Sequence, residues 1–395
     1  MGTPLATTES LPDYSGASIL NLITSITTAL GAPNGPYPAL RQPDLQQLLA
    51  SRGRVVLIVV DGLGHGYLTQ GYPGSSLCHY LRGSLTSVFP STTATAITAF
   101  LTGLAPAQHG ITGWHMYIPE LDTVAAVLPM RTRSTNRPLT ALGLDPARFF
   151  DQPSLFDRLP VRSFVVSPER IVDSEFNRRH SGSADRRGYG SLEQLFASIL
   201  SCLRAPGGRR YVYAYYADFD SVAHAHGVNS RRADQVMRRF DAAFSAFLDQ
   251  AAGLNATVIV TADHGFIDSP PDRLIELDDH PDLQAMLRLP LCGERRAAYC
   301  YVRPERARDF EDYVHGALAD QARLFVSEVL MAQGWFGPGP PHPRLKQRIG
   351  DYTLIMKENW TIKDWVQGEA RHRQIGVHGG LSIDEMTVPL VVVQP

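Results

Sequence analysis

Uninterrupted aliphatic runs alternate along this chain with stretches of helical periodicity. Val55–Val60 reads VVLIVV and stops at Asp61-Gly62. A run without polar alternation suits a strand buried on both faces, as in a parallel sheet. Phe164–Val166, Tyr211–Tyr216, Thr257–Thr261 and Val388–Val393 resemble it. Ser18–Leu30, Ser191–Leu203 and Arg231–Ala251 instead place apolar residues at helical spacing. Strands alternating with helices predict an α/β fold, with a mostly parallel central sheet and helices on both faces.

Two stretches break the rhythm. His115–Arg133 holds two short extended runs, which predict a hairpin leaving the sheet. Ala297–Phe336 reads strand, helix, strand, and predicts a small α+β subdomain inserted at about 285–372. Gly337–Pro343, GPGPPHP, predicts a rigid loop. Residues 1–14 are polar and expected to be flexible, leaving one catalytic domain over 15–395.

Composition narrows the class. Lys plus Arg total 37 against 39 Asp plus Glu, a formal charge of −2, so no nucleic-acid polymer is expected as partner. Cys78, Cys202, Cys292 and Cys300 form no CxxC pair and read as ordinary thiols. The start of the chain shows no secretory pattern, and no run reaches the length of a membrane span. The expectation is a cytoplasmic protein without a membrane span.

Candidate chemistry lies where the strands end, because open parallel sheets bind ligands outside the carboxyl ends of their strands. Asp61 follows VVLIVV. Asp220 and, four residues on, His224 follow YVYAYYADF, Asp263-His264 follow TVIVTA, and His378-Gly379-Gly380 precede the last strand. Carboxylates converging without cations repel one another, and a divalent metal removes that cost. Mixed Asp and His ligands suit zinc, or manganese and related ions, and six of them suit two metals sharing an anion. Val88–Gly103, VFPSTTATAITAFLTG, adds hydroxyls at a helix start. One of Ser91, Thr92 and Thr93 serves as helix cap, and another can act as a nucleophile, since a helix N-terminus favours a negative oxygen.

These segments together resemble the alkaline phosphatase superfamily, in its type I phosphodiesterase and nucleotide pyrophosphatase branch. The motifs are VVLIVVDGLG, FPSTTATAITAFLTGLAPAQHGI, DFDSVAHAHG, TADHGF and VHGGLSIDEMTVPLVV, in the superfamily's order. The resemblance implies that Asp61, Thr93, Asp263 and His264 surround one metal, and that Asp220, His224 and His378 hold the other. It makes Thr93 the nucleophile, chosen over Thr92 by its spacing to Thr102-Gly103. It further implies a metal-dependent hydrolase of small phosphorylated substrates, with diesters favoured, acting in line through a phospho-enzyme. A phosphomonoesterase or phosphonate hydrolase on the same site is one alternative, and a catalytically silent binder of a phosphorylated ligand is another. One position departs from the pattern: Trp114 stands where nucleotide pyrophosphatases carry an Asn that helps hold the phosphoryl group.

Weaker signals remain. Asp61–Gly66 lacks the GxGxxG spacing of a dinucleotide loop. His226 could replace His224 as a ligand. Asn177–Tyr189 carries four arginines and reads as a solvated loop, or as a lid holding an acidic group of the substrate.

Overall fold

The computed structural model describes residues 6–33 and 35–395. Its centre is a seven-stranded sheet in the order Leu81–Thr86, Thr387–Val393, Ala256–Thr261, Arg54–Val60, Arg210–Tyr216, Arg162–Pro168, Asp185–Tyr189. Arg54–Val60 lies between two parallel neighbours, with Val60 opposite Tyr216 on one side and Val59 opposite Thr261 on the other. All six of its aliphatic residues are fully buried, which explains the lack of polar alternation. Thr387–Val393 pairs antiparallel on both sides, so one strand opposes the direction of the other six. Its apolar run reads like the others because burial, not direction, sets that pattern.

Successive side chains of a strand point to opposite faces. Tyr213 meets Phe100 of helix Thr93–Thr102, with ring centroids 6.4 Å apart. Tyr216, of opposite parity, meets Phe240 of helix Arg231–Ala251 at 5.0 Å. Helices therefore cover both faces, as the alternation predicts.

The hairpin and the inserted segment form one second sheet. Its order is Ala322–Val326, Tyr352–Met356, Ala297–Cys300, Cys292–Gly293, His115–Ile118, Thr123–Ala126, Arg131–Thr132, and all its pairings are antiparallel. The two pieces join at Gly293 and His115. A Cβ on Gly113 would lie 2.7 Å from the Gly293 Cα, so this junction requires a glycine.

Residues 6–14 pack on the body, against the expectation of a flexible tail. The Ser10 N–H donates to the Leu381 carbonyl at 2.8 Å, the Asp13 N–H to Thr86 Oγ1 at 2.8 Å, and the Tyr14 hydroxyl to the Trp335 carbonyl at 3.2 Å. The rest of that tail, residues 1–5, lies outside the described residues. The four cysteines are free thiols. Among the described residues no helix is long and apolar enough to cross a membrane.

Candidate active site

Four chain segments deliver the candidate ligands to one edge of the central sheet. Asp61 leaves Arg54–Val60, and its N–H still pairs with the Tyr216 carbonyl of the neighbouring strand. Gly62 turns the chain with φ 79°, and a Cβ there would sit 2.3 Å from the Phe266 ring. Asp263 and His264 follow Ala256–Thr261. Asp220 and His224 stand one turn apart on helix Asp218–His226. His378 comes from the loop before the last strand.

The cluster is tight. His264 Nε2 lies 3.3 Å from Asp61 Oδ1 and 3.6 Å from Asp263 Oδ2. His224 Nε2 lies 3.3 Å from Asp220 Oδ1 and 3.2 Å from His378 Nε2. The His264 and His378 rings stack at 3.7 Å. Ligand atoms of Asp61, Asp263 and His264 all lie within 4.8 Å of one another, as do those of Asp220, His264 and His378. His264 thus borders both halves of the cluster.

Hydrogen bonding shows what the cluster lacks. Each imidazole turns Nδ1 to a backbone carbonyl: His224 to Gly376 at 2.9 Å, His264 to Gly265 at 3.0 Å, His378 to Ser91 at 3.2 Å. A ring nitrogen facing a carbonyl is an N–H donor, so in the neutral rings all three Nε2 atoms carry lone pairs into the site. Asp61 Oδ1, Asp220 Oδ1 and Asp263 Oδ2 are buried without a hydrogen-bond partner. Acceptors facing acceptors in a buried space call for cations, and this donor set fits divalent ions of the zinc or manganese type.

Proton affinities carry the same strain. Burial, then the charge of Asp220, pushes the Asp61 carboxyl up to about 8. Burial and Asp61 push Asp263 well above the carboxylate range. Burial opposes charge on His224, but Asp220 outweighs it and raises the imidazole to about 9. Burial likewise opposes charge on Asp220, and His224 outweighs it, so that carboxyl is lowered. His378 is held well below its usual range by burial. Without cations, protons take over part of the neutralisation.

The hydroxyls of the threonine-rich helix divide sharply. Thr93, its first residue, places Oγ1 3.1 Å from His264 Nε2. Thr92 donates to Glu294 Oε1 at 2.7 Å, and Ser91 to the Gly380 carbonyl at 2.8 Å. No side chain caps the helix start, which corrects the capping role expected for one of them. Thr98 and Thr102 bond back to carbonyls four residues earlier, at 2.7 Å each, which is how a fully buried helix satisfies so many hydroxyls.

Two cavities meet here. A polar one of about 290 Å³ is lined by Thr93, Trp114, Glu294, Arg295 and Lys363, among others. A more apolar one of about 430 Å³ runs along Ile97, Leu101, Leu128 and Phe176. Thr93, Trp114 and Asp220 line both. His226 is exposed and bonds Arg232 at 2.6 Å, away from the cluster. The arginine-rich segment is not a loop: it forms helix Glu175–Ser181, whose Phe176 and Asn177 line the more apolar cavity, and edge strand Asp185–Tyr189. Arg178 pairs with Glu175, Arg179 bonds the Phe150 carbonyl, Arg186 pairs with Asp173, and Arg187 is exposed. None of the four lines either cavity. Residues without a motif complete the site: Tyr215, whose hydroxyl bonds Asp61 Oδ2, and Glu294, which accepts from Thr92 and from the Trp114 N–H.

A buried ion pair fixes the loop after His378. Arg296 Nε and Nη2 bond the Glu385 carboxylate at 3.1 and 3.0 Å, with both side chains almost fully buried. Glu385 also accepts from the Gly380 N–H at 2.8 Å and the Ser382 hydroxyl at 2.7 Å. Glu385→Ala strands a buried guanidinium and is expected to cost about 3–5 kcal/mol in urea unfolding. A loss below about 1 kcal/mol would show that this pair does not anchor the loop.

The family profile described as type I phosphodiesterase/nucleotide pyrophosphatase matches residues 55–381. No curated protein matches the chain in sequence. Among solved structures, murine ectonucleotide pyrophosphatase/phosphodiesterase 5 superposes with a TM-score of 0.65 at 19% identity, over 86% of this chain and 88% of that one. Its inactive threonine-to-alanine form in complex with AMP gives 0.64 at 19%, over 85% and 87%. Phosphonoacetate hydrolase from Sinorhizobium meliloti 1021, in complex with phosphonoacetate, gives 0.62 at 20%, over 87% and 90%. The family is metal-dependent, typically with two divalent ions, and the orphaned acceptors around His264 are groups suited to hold them. By the extent of that match, this chain belongs to the type I phosphodiesterase/nucleotide pyrophosphatase family and is a phosphoester hydrolase.

Proposed function

We propose that this protein hydrolyses small phosphodiesters with Thr93 as nucleophile. Asp61, Thr93, Asp263 and His264 would hold one divalent ion, and Asp220, His224 and His378 the other, zinc or manganese. The observation that supports the reading is the place of Thr93, lining two cavities and beside the cluster. A diester has two arms to house, whereas a monoester would leave one cavity idle.

When bound, the two ions supply neutralisation and polarisation of the phosphoryl group. The chain supplies position. Thr93 Oγ1, on the first residue of its helix, attacks phosphorus, and the bond to the opposite ester oxygen breaks in line. Free backbone N–H groups at that helix start favour the negative oxygens of the phosphoryl group. Water then hydrolyses the phosphothreonine. The threonine-to-alanine form of the murine neighbour, described as inactive, supports the assignment of Thr93.

The phosphonoacetate hydrolase neighbour keeps phosphonate hydrolysis as the second reading. The test compares bis-p-nitrophenyl phosphate with p-nitrophenyl phosphate, with added Zn²⁺ or Mn²⁺ and a chelator control. The diester is expected to turn over at least about tenfold faster, and only with metal. Preference for the monoester would overturn the diesterase reading, and turnover of neither would favour a silent binder.

A further inference from the structure

The polar cavity holds three arginine and lysine side chains, and two are already spent. Arg133 Nη2 bonds Asp364 at 2.7 Å and Glu369 at 2.9 Å, and its Nη1 bonds the Leu291 carbonyl at 2.9 Å. Lys363 Nζ bonds Glu369 at 2.7 Å. Arg295 differs. Among the described residues no carboxylate oxygen lies within 4.0 Å of its guanidinium. It makes one hydrogen bond, to the His372 carbonyl at 3.2 Å, and packs 5.6 Å from the Trp365 ring.

A partly buried guanidinium with no directly paired carboxylate is costly, and burial lowers its pKa to about 10, which leaves it charged at neutral pH. Nearby Glu369 and Glu294 favour its charge, but neither bonds it. One oxygen of the Glu294 carboxyl accepts from both Thr92 and Trp114, and burial favours its neutral form. The arginines at 178–187 lie outside both cavities, and Arg170, which lines the more apolar one, is exposed, so among the described residues Arg295 is the unspent arginine or lysine of the polar cavity.

We propose that the Arg295 end of the polar cavity is a subsite for a second acidic group on the substrate, an oxyanion held by the guanidinium fork. The substrate class is then a phosphodiester with one anionic arm. The inference rests on the diesterase reading of the Thr93 centre. A carboxylate and a phosphate share the required chemistry, because both present paired oxygens to the planar fork.

The experiment uses three diesters with a common p-nitrophenol leaving group. Their other arms are 4-carboxyphenyl, 4-phosphonophenyl and the neutral isostere 4-carbamoylphenyl. The metal-loaded wild type is expected to prefer an acidic arm over the amide by roughly ten- to hundredfold in kcat/KM, mainly through KM. In Arg295→Gln that ratio should fall to near one, with Arg295→Lys between. Which acid gains more identifies carboxylate or phosphate as the native group. Binding is read separately by calorimetry with 4-carboxyphenyl methylphosphonate and its amide analogue. Equal binding of acid and amide to the wild type, or an acid-to-amide ratio unchanged in Arg295→Gln, would overturn the subsite. Failure of all three diesters to turn over, with acid-selective binding intact and lost in Arg295→Gln, would overturn the diesterase reading and leave the subsite standing.

Discussion

Thr93→Ala is expected to abolish turnover while keeping the metal complement. Five of the six Asp and His side chains of the cluster are held by other partners. Asp61 is gripped by the Tyr215 hydroxyl, and Asp263 Oδ1 accepts from the Gly62 and His264 N–H groups at 3.1 Å each. Each imidazole has its own carbonyl anchor. Removing Oγ1 takes away one oxygen near the cluster and leaves those anchors in place. Loss of a covalent nucleophile typically costs on the order of 10⁴-fold or more in kcat. The measurement pairs initial rates on bis-p-nitrophenyl phosphate with metal content by mass spectrometry. Thr92→Val is the control, since Thr92 turns its hydroxyl to Glu294 and away from the cluster. Turnover retained in Thr93→Ala but lost in Thr92→Val would transfer the role to Thr92.

The central sheet was readable in the sequence because burial on both faces leaves an unbroken aliphatic signature, as in Val55–Val60. The convergence of Asp61, Asp220, Asp263 and their histidines was readable for a related reason: strand ends in one parallel sheet share an edge. Other features depend on contacts that no local pattern records. The hairpin at 115–132 and the strands at 292–356 join through a single bridge, Gly293 to His115, so their union in one sheet has no signal in either stretch. Arg133 finds Asp364 and Glu369 more than two hundred residues away. Composition marked the four arginines at 178–187 as a loop because charge hides an edge strand, which is where Arg186 and Arg187 lie. The cap expected of Ser91, Thr92 or Thr93 failed because all three hydroxyls found tertiary partners.

Removing the metals is expected to lower stability most at alkaline pH. The sign follows from the shifts at Asp61, Asp263 and His224. In the metal-free protein all three are raised in the folded state, Asp61 to about 8 and His224 to about 9. An unfolded Asp loses its proton near 4 and an unfolded His near 6.5. Between about pH 6.5 and 8 the folded chain therefore binds more protons than the unfolded one, and stability falls as pH rises. Each extra proton tilts the curve by roughly 1 kcal/mol per pH unit. The buried histidines with lowered values, such as His378, still take up protons in the unfolded chain near 6.5, so they oppose the slope at the low end of this window and cease to do so above about pH 7.5. Divalent ions displace those protons and bind more tightly as pH rises. Saturation at a thousand times Kd adds about 4 kcal/mol per site. Thermal melts at pH 6.5 and 8 should show metal-free protein losing several degrees on going to the higher pH, while protein with Zn²⁺ or Mn²⁺ holds its Tm. Asp263→Ala should lose the metal response along with activity, since it removes an acceptor oriented by two backbone N–H groups. A metal-free Tm that rises from pH 6.5 to 8, or one that added metal leaves unmoved, would mean that the orphaned oxygens at Asp61, Asp220 and Asp263 are satisfied by something other than cations.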